Sequence, residues 1–195
     1  MRAPFRRVAA FAALLALTAC GGSPAPAPTT SPPPPPCTPD TGAVDWDEPS
    51  STPALLHVVA RYRDDTRTTW RDLLDRPFTP EVTGDGTDRS WIPTLARSLG
   101  ELRNQSLGPD TSPQDELTQL HTMLENSTQH GWLLAYTGTT LVEAAFRVTC
   151  APSTPITGTL TTWNSMDSGF LACADATARD TPAAYPDVWD YCPTD

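Results

Sequence analysis

The sequence predicts an α+β domain, an antiparallel sheet with about two helices packed on one of its sides and two disulfides as staples. Three observations lead there. Apolar residues alternate with period two near residues 56–63 and again at 142–150, two segments of helical period lie between them, and strands, helices, strands is the order of an α+β layer.

Val44-Asp45-Trp46 after Gly42 reads as a short first strand. From Leu56 the chain alternates: Leu56, Val58, Ala60 and Tyr62 on one face, His57, Val59, Arg61 and Arg63 on the other, as in a half-buried strand. Asp64-Asp65-Thr66 turns the chain, and the stretch to Arg76 fits either a second hairpin arm or a short helix carrying Trp70, Leu73 and Leu74. The composition of Pro77 to Asp88 is that of a loop. Trp91, Leu95, Leu99 and Leu102 then recur at helical spacing behind Ser90, which predicts a helix of about a dozen residues. A second helix begins where Ser112 can cap, Pro113 suits the first position, and Asp115 and Glu116 favour the positive end of the dipole. Its apolar stripe is Leu117, Leu120 and Leu124. Sheet returns at Trp132, with a bulge or bend at Gly138 and clean alternation from Val142 to Cys150. Ile156 to Trp163 makes the next strand, and Asn164 to Gly169 leads into Phe170 to Cys173.

Thirteen basic against 23 acidic side chains leave a formal charge of −10, and every basic residue is Arg. That balance excludes a polybasic nucleic-acid binder, which needs a dense cationic face. About 150 residues from Gly42 onward suffice for one domain burying about 68–70% of its surface. The expected division is residues 1–19 as a signal peptide, 20–41 as a lipidated cysteine and tether, and 42–195 as a single globular domain.

Arg2, Arg6 and Arg7 precede the apolar run Val8 to Leu17, which is shorter than the roughly 20 residues of a membrane-crossing helix. Leu17-Thr18-Ala19-Cys20 follows, and this resembles the lipobox of bacterial lipoproteins. The resemblance implies that Cys20 carries the lipid and that the membrane is met through that anchor, on the extracytoplasmic face. Export could run by the general route or, with Arg6-Arg7, by a twin-arginine route. Nine of the twenty residues from Gly21 to Asp40 are Pro, so this stretch is extended and spaces the domain from the anchor.

Four cysteines remain: Cys37, Cys150, Cys173 and Cys192. Outside the cytoplasm they imply two disulfides with three pairings available, of which Cys150 with Cys173 and Cys37 with Cys192 is preferred. No C-x-x-C pair points to zinc. Phe146-Arg147-Val148-Thr149-Cys150, Gly158-Thr159-Leu160-Thr161-Thr162-Trp163, Ser168-Gly169-Phe170-Leu171-Ala172-Cys173 and the last Cys192 are together similar to small uncharacterised exported proteins of high-GC actinobacteria. That resemblance carries no activity with it.

No catalytic constellation, metal-ligand set or cofactor motif stands out. His57 shares a polar strand face with Arg61 and reads as solvated. His121 and Glu125 sit four apart on one helix face, a spacing that fits a metal pair or, as preferred, a surface contact, and Asp85 and Asp88 in the Gly-rich loop fit calcium or, as preferred, a plain turn. Six tryptophans are a rich supply, with most expected in the core and Trp163 and Trp189 expected to be exposed for binding. The expected function is a non-enzymatic binding or scaffolding module that meets a cell-wall glycan or an envelope protein. The alternatives are an envelope hydrolase with a loop-assembled site or a modulator of a neighbouring membrane protein.

Overall fold

The computed structural model describes residues 35–109, 116–175 and 184–193. The chain divides after Pro35, and the second unit begins at Pro36. Cys20, Ser112, Pro113 and Asp115 lie outside the described residues.

The architecture is dominated by one antiparallel sheet. Its strands are β1 (Ala43–Trp46), β2 (Ser50–Arg63), β3 (Thr68–Asp75), β4 (Glu81–Thr83), β5 (Gly131–Thr149) and β6 (Ile156–Ala172). Two helices, α1 (Ile92–Arg103) and α2 (Glu116–Glu125), lie between β4 and β5, and short 3-10 turns span Arg89–Trp91 and Pro186–Tyr191. The order across the sheet is β3-β2-β5-β6-β4, and β1 also pairs with β5. β5 is the spine: one edge carries β2 and then β1, and the other carries β6 along almost its whole length.

The ambiguous stretch after Asp65 is strand β3, paired with β2 as a hairpin. Its turn is held by Asp64, whose Oδ1 accepts from the Thr66 hydroxyl at 2.7 Å and from the Thr66 and Arg67 amides. Those donors, the Thr66 hydroxyl foremost, hold the Asp64 carboxyl down at about 2. The Asn164–Gly169 segment does not interrupt β6, which absorbs one extra residue between Trp163 and Met166 while the Thr139 hydroxyl donates to the Ser165 carbonyl.

The helices do not share a side of the sheet, contrary to the sequence expectation. β5 alternates without a phase change, because the extra residues in its ladders belong to β2 (Leu56) and to β6. Its odd residues Leu133 and Ala135 meet Leu120 and Leu124 of α2, whereas its even residues Val142, Ala144, Phe146 and Val148 meet Trp91, Ile92, Leu95 and Leu99 around α1. The physical reason is length. A strand of 19 residues reaches about 60 Å, and a helix of 12 covers only about 18 Å, so neither helix can serve both ends. Leu102, the last residue of the predicted stripe on α1, faces solvent and is 63% exposed.

A third layer comes from the C-terminal segment. Val188 packs on Val58, Ala60 and Leu134, and a Cβ on Gly138 would strike the Tyr185 ring at 2.4 Å. The middle of β2 is therefore covered twice, by α2 on one side and by Tyr185–Tyr191 on the other. His57, expected to be solvated, is 4% exposed, and Arg61 on the same strand face is 1% exposed.

Two disulfides close the domain, but with other partners than expected: Cys37–Cys150 and Cys173–Cys192. Strand pairing decides this. Ala43 sits opposite Thr149, which brings Cys37 beside Cys150, and Cys173 leaves β6 where the C-terminal 3-10 turn ends at Cys192.

Candidate functional site

The β2–β3 hairpin and the start of β5 build a concave surface of about 440 Å³ lined by Tyr62, Arg67, Thr69, Arg71 and Trp132. Its origin is the alternation of the hairpin. Arg67, Thr69 and Arg71 are two apart and leave β3 and its turn on one side, over Tyr62, which pairs with Thr69 and Trp132 across its two ladders. The Tyr62 and Trp132 ring centroids lie 5.3 Å apart. The Arg67 guanidinium sits 5.3 Å from the Tyr62 ring centre, and that of Arg71 sits 4.8 Å from the Trp132 ring centre. The result is a ladder of guanidinium, ring, ring and guanidinium. Stacking on an aromatic face fixes the plane of a guanidinium and turns its N–H edge outward.

The two arginines differ in how far they are already neutralised. Arg67 Nε lies 3.4 Å from Asp64 Oδ2 in an exposed pair, a contact worth little in water. Arg71 has no carboxylate within ion-pair distance among the described residues. In a chain of net charge −10, this is a local cationic face.

A second constellation is buried on the opposite face of the sheet. His57 Nδ1 lies 3.0 Å from Asp75 Oδ1, and its Nε2 lies 3.5 Å from Glu116 Oε2. Neither ring nitrogen has an aligned hydrogen-bond partner among the described residues. Thr137 donates to Glu116 at 3.0 Å, and Glu116 itself is 5% exposed. Burial pushes the Glu116 carboxyl above the usual range, while the Thr137 hydrogen bond and His57 pull it back. The Thr137 hydroxyl donates to the Glu116 carboxylate and not to the imidazole, and both His57 and Glu116 are buried. The role of this set is to seat the start of α2 on the sheet.

A carboxyl raised in the folded state binds its proton more tightly there than in the unfolded chain. The stabilising contribution is complete below the unfolded value of about 4.3, and is lost as pH rises through the folded one. Glu116→Gln keeps an acceptor for Thr137 and removes the buried charge. It is expected to raise Tm at pH 7 by about 2–4 °C, corresponding to about 1 kcal/mol, and to change nothing once Glu116 is protonated. A lower Tm at pH 7 would instead show that the attraction of His57 outweighs the desolvation of the carboxylate.

The tryptophans expected to be exposed are both half-buried. Trp163 lies flat against the backbone of Gly108, where a Cβ would meet the ring at 2.0 Å, and Trp189 packs on the cluster around Val58 and Leu134. Trp70 is the exposed one, at 36%, standing 5.0 Å from His121 on the edge strand. His121 pairs with Asp72 at 2.9 Å, across the gap from α2 to β3. Asp88 spends its carboxylate on the Ser90 amide and caps the first 3-10 turn, and that hydrogen bond holds its carboxyl low. The arginine–aromatic ladder escaped the sequence reading, though one signal was present: Arg67, Thr69 and Arg71 share a strand period beside the Tyr62 position. No group of three or more His, Cys, Asp or Glu able to hold a metal occurs among the described residues. Compared with family models, curated proteins and solved structures, the chain matches none of them.

Proposed function

We propose that this chain is a lipid-anchored, extracytoplasmic binding or scaffolding module and not an enzyme. In this reading Cys20 carries the lipid, the Pro-rich stretch is a spacer, and an α+β domain presents the Tyr62–Arg67–Arg71–Trp132 surface to a cell-wall glycan or envelope protein. That surface is the observation that carries the proposal: it is concave, fixed on paired strands and charged opposite to the rest of the chain. Two disulfides suit an oxidising compartment. Against a hydrolase stands the burial of His57 and Glu116, which keeps them from a substrate.

The test is crosslinking on intact cells followed by mass spectrometry of captured material, with three versions of the chain. The unaltered chain should capture a reproducible glycan or protein partner from the membrane fraction. Cys20→Ala should leave that fraction, and Arg71→Gln should stay in it while capture falls several-fold. Retention of Cys20→Ala in the membrane would refute the anchor, and capture indifferent to Arg71→Gln would refute the surface.

A further inference from the structure

We infer that the arginine–aromatic surface recognises an oxyanion, phosphate or carboxylate, carried on a sugar-like molecule. The inference deepens the proposed function and rests on reading this face as the binding surface. It starts from what the ladder does to two guanidinium groups. Each is held against a ring, at 5.3 and 4.8 Å, so the rotational freedom that a surface arginine normally loses on binding is already restricted. A guanidinium so oriented offers parallel N–H donors, which match the two oxygens of a carboxylate or phosphate.

The hairpin supplies the spacing. Arg67 and Arg71 are four residues apart, about 14 Å along the backbone, and both lean inward over the Tyr62–Trp132 pair. The hollow beside them is lined by Thr69 and the two rings, so an anionic group held by Arg71 or Arg67 rests its polar carrier on a hydroxyl and on ring edges. Arg71 is the stronger anchor, having no acidic partner among the described residues, and the Asp64 contact of Arg67 engages only Nε.

Charge and size narrow the class. Nucleic acid is disfavoured, because the cationic face is small and the chain around it is strongly acidic. A lipid tail is disfavoured by a floor whose apolar surface is limited to two aromatic rings, each already facing a guanidinium. A hollow of about 440 Å³ suits one or two sugar rings with their charged substituent.

The test uses the full chain carrying Cys20→Ala for solubility. It is titrated with glucose 1-phosphate, glucuronate and glucose, and followed by calorimetry and by the arginine Nε–Hε NMR signals. Binding of glucose 1-phosphate or glucuronate without binding of glucose is expected, with the Arg67 and Arg71 signals shifting, and the stronger of the two separates phosphate from carboxylate. Arg71→Gln should weaken it about tenfold or more, Arg71→Lys should restore only part, and Arg147→Gln on β5, away from the ladder, should leave it unchanged. Binding of glucose as tight as that of the charged sugars, or affinity untouched by Arg71→Gln, would overturn the inference. So would a lack of binding by either charged sugar. If capture on cells depends on Arg71 but neither charged sugar binds, the surface stands and the ligand class falls. If capture also ignores Arg71, the proposed function falls with it.

Discussion

Arg61→Met is expected to destabilise the domain by about 3 kcal/mol or more, because it removes a buried cation that completes the end of α2. Arg61 lies near the end of β2 and is 1% exposed. Its Nη1 donates to the Leu124 carbonyl and, at 2.8 Å, to that of Ser127, while Nη2 donates to the Gln129 carbonyl at 2.8 Å. The last carbonyls of a helix have no intrahelical donor and carry the negative end of its dipole, so a guanidinium there satisfies both needs at once. Methionine fills much of the same volume, yet it removes three hydrogen bonds: the Leu124 carbonyl keeps the Ser127 amide, the Ser127 carbonyl keeps Arg63, and the Gln129 carbonyl loses its Nη2 donor. Burial holds the Arg61 pKa below its ordinary value, with the nearby Arg63 adding to this. Arg63→Met provides the contrast. Its Nη1 makes one 3.2 Å bond to Ser127, and its loss should cost under about 1 kcal/mol. Urea unfolding of the two variants is the measurement, and equal midpoints would remove Arg61 from its role at the helix end.

The second large effect belongs to the disulfides. Replacing Cys37 and Cys150 together by Ala should cost close to 5 kcal/mol, since the bond closes a loop of 113 residues. Replacing Cys173 and Cys192 should cost about 3 kcal/mol for a separation of 19. A domain of this size has only about 5–15 kcal/mol in hand, so the first replacement brings it close to unfolding at 37 °C. Thermal and urea unfolding of both double variants would rank them, and a larger loss from the short loop would contradict the assignment of roles. Peptide mapping without reduction tests the pairing itself. A peptide joining Cys150 to Cys173 would overturn it.

These two effects act on different parts of one arrangement. The Cys37–Cys150 bond ties the entry of the domain to the far end of β5, next to the core under α1. Arg61 secures α2 over the near end, and the C-terminal segment held by Cys173–Cys192 covers the other face there. Two of the three layers at the near end rest on β2 and β3, the hairpin that also carries the arginine–aromatic ladder. Loss of α2 or of the C-terminal staple should therefore loosen the binding surface before it unfolds the α1 end.

Much of the architecture was legible one residue at a time. Alternation at 142–150 marks a strand covered on one face, and Val142, Ala144, Phe146 and Val148 are buried there while Glu143 and Arg147 are exposed. Trp91, Leu95 and Leu99 mark α1 for the same local reason. Alternation cannot report what lies over the polar face. His57 reads as solvated because a lone strand leaves the residues of such a face in water, and only the arrival of α2 buries it together with Val59 and Arg61.

Composition, periodicity and the even number of cysteines beyond Cys20 marked β1, the core of β2, β5 and β6, the two helices and two staples, because each depends on residues near in the chain. β3 stayed open between strand and helix, and β4, three residues paired with β6, lies in the stretch Pro77 to Asp88 that reads as a loop. Which cysteine meets which, which face each helix takes, and which arginines stand over which rings were decided by the tertiary structure alone. The physical reason is that a 19-residue strand places partners far apart in sequence on the same ladder, and ladder position, unlike periodicity, is set by the whole sheet.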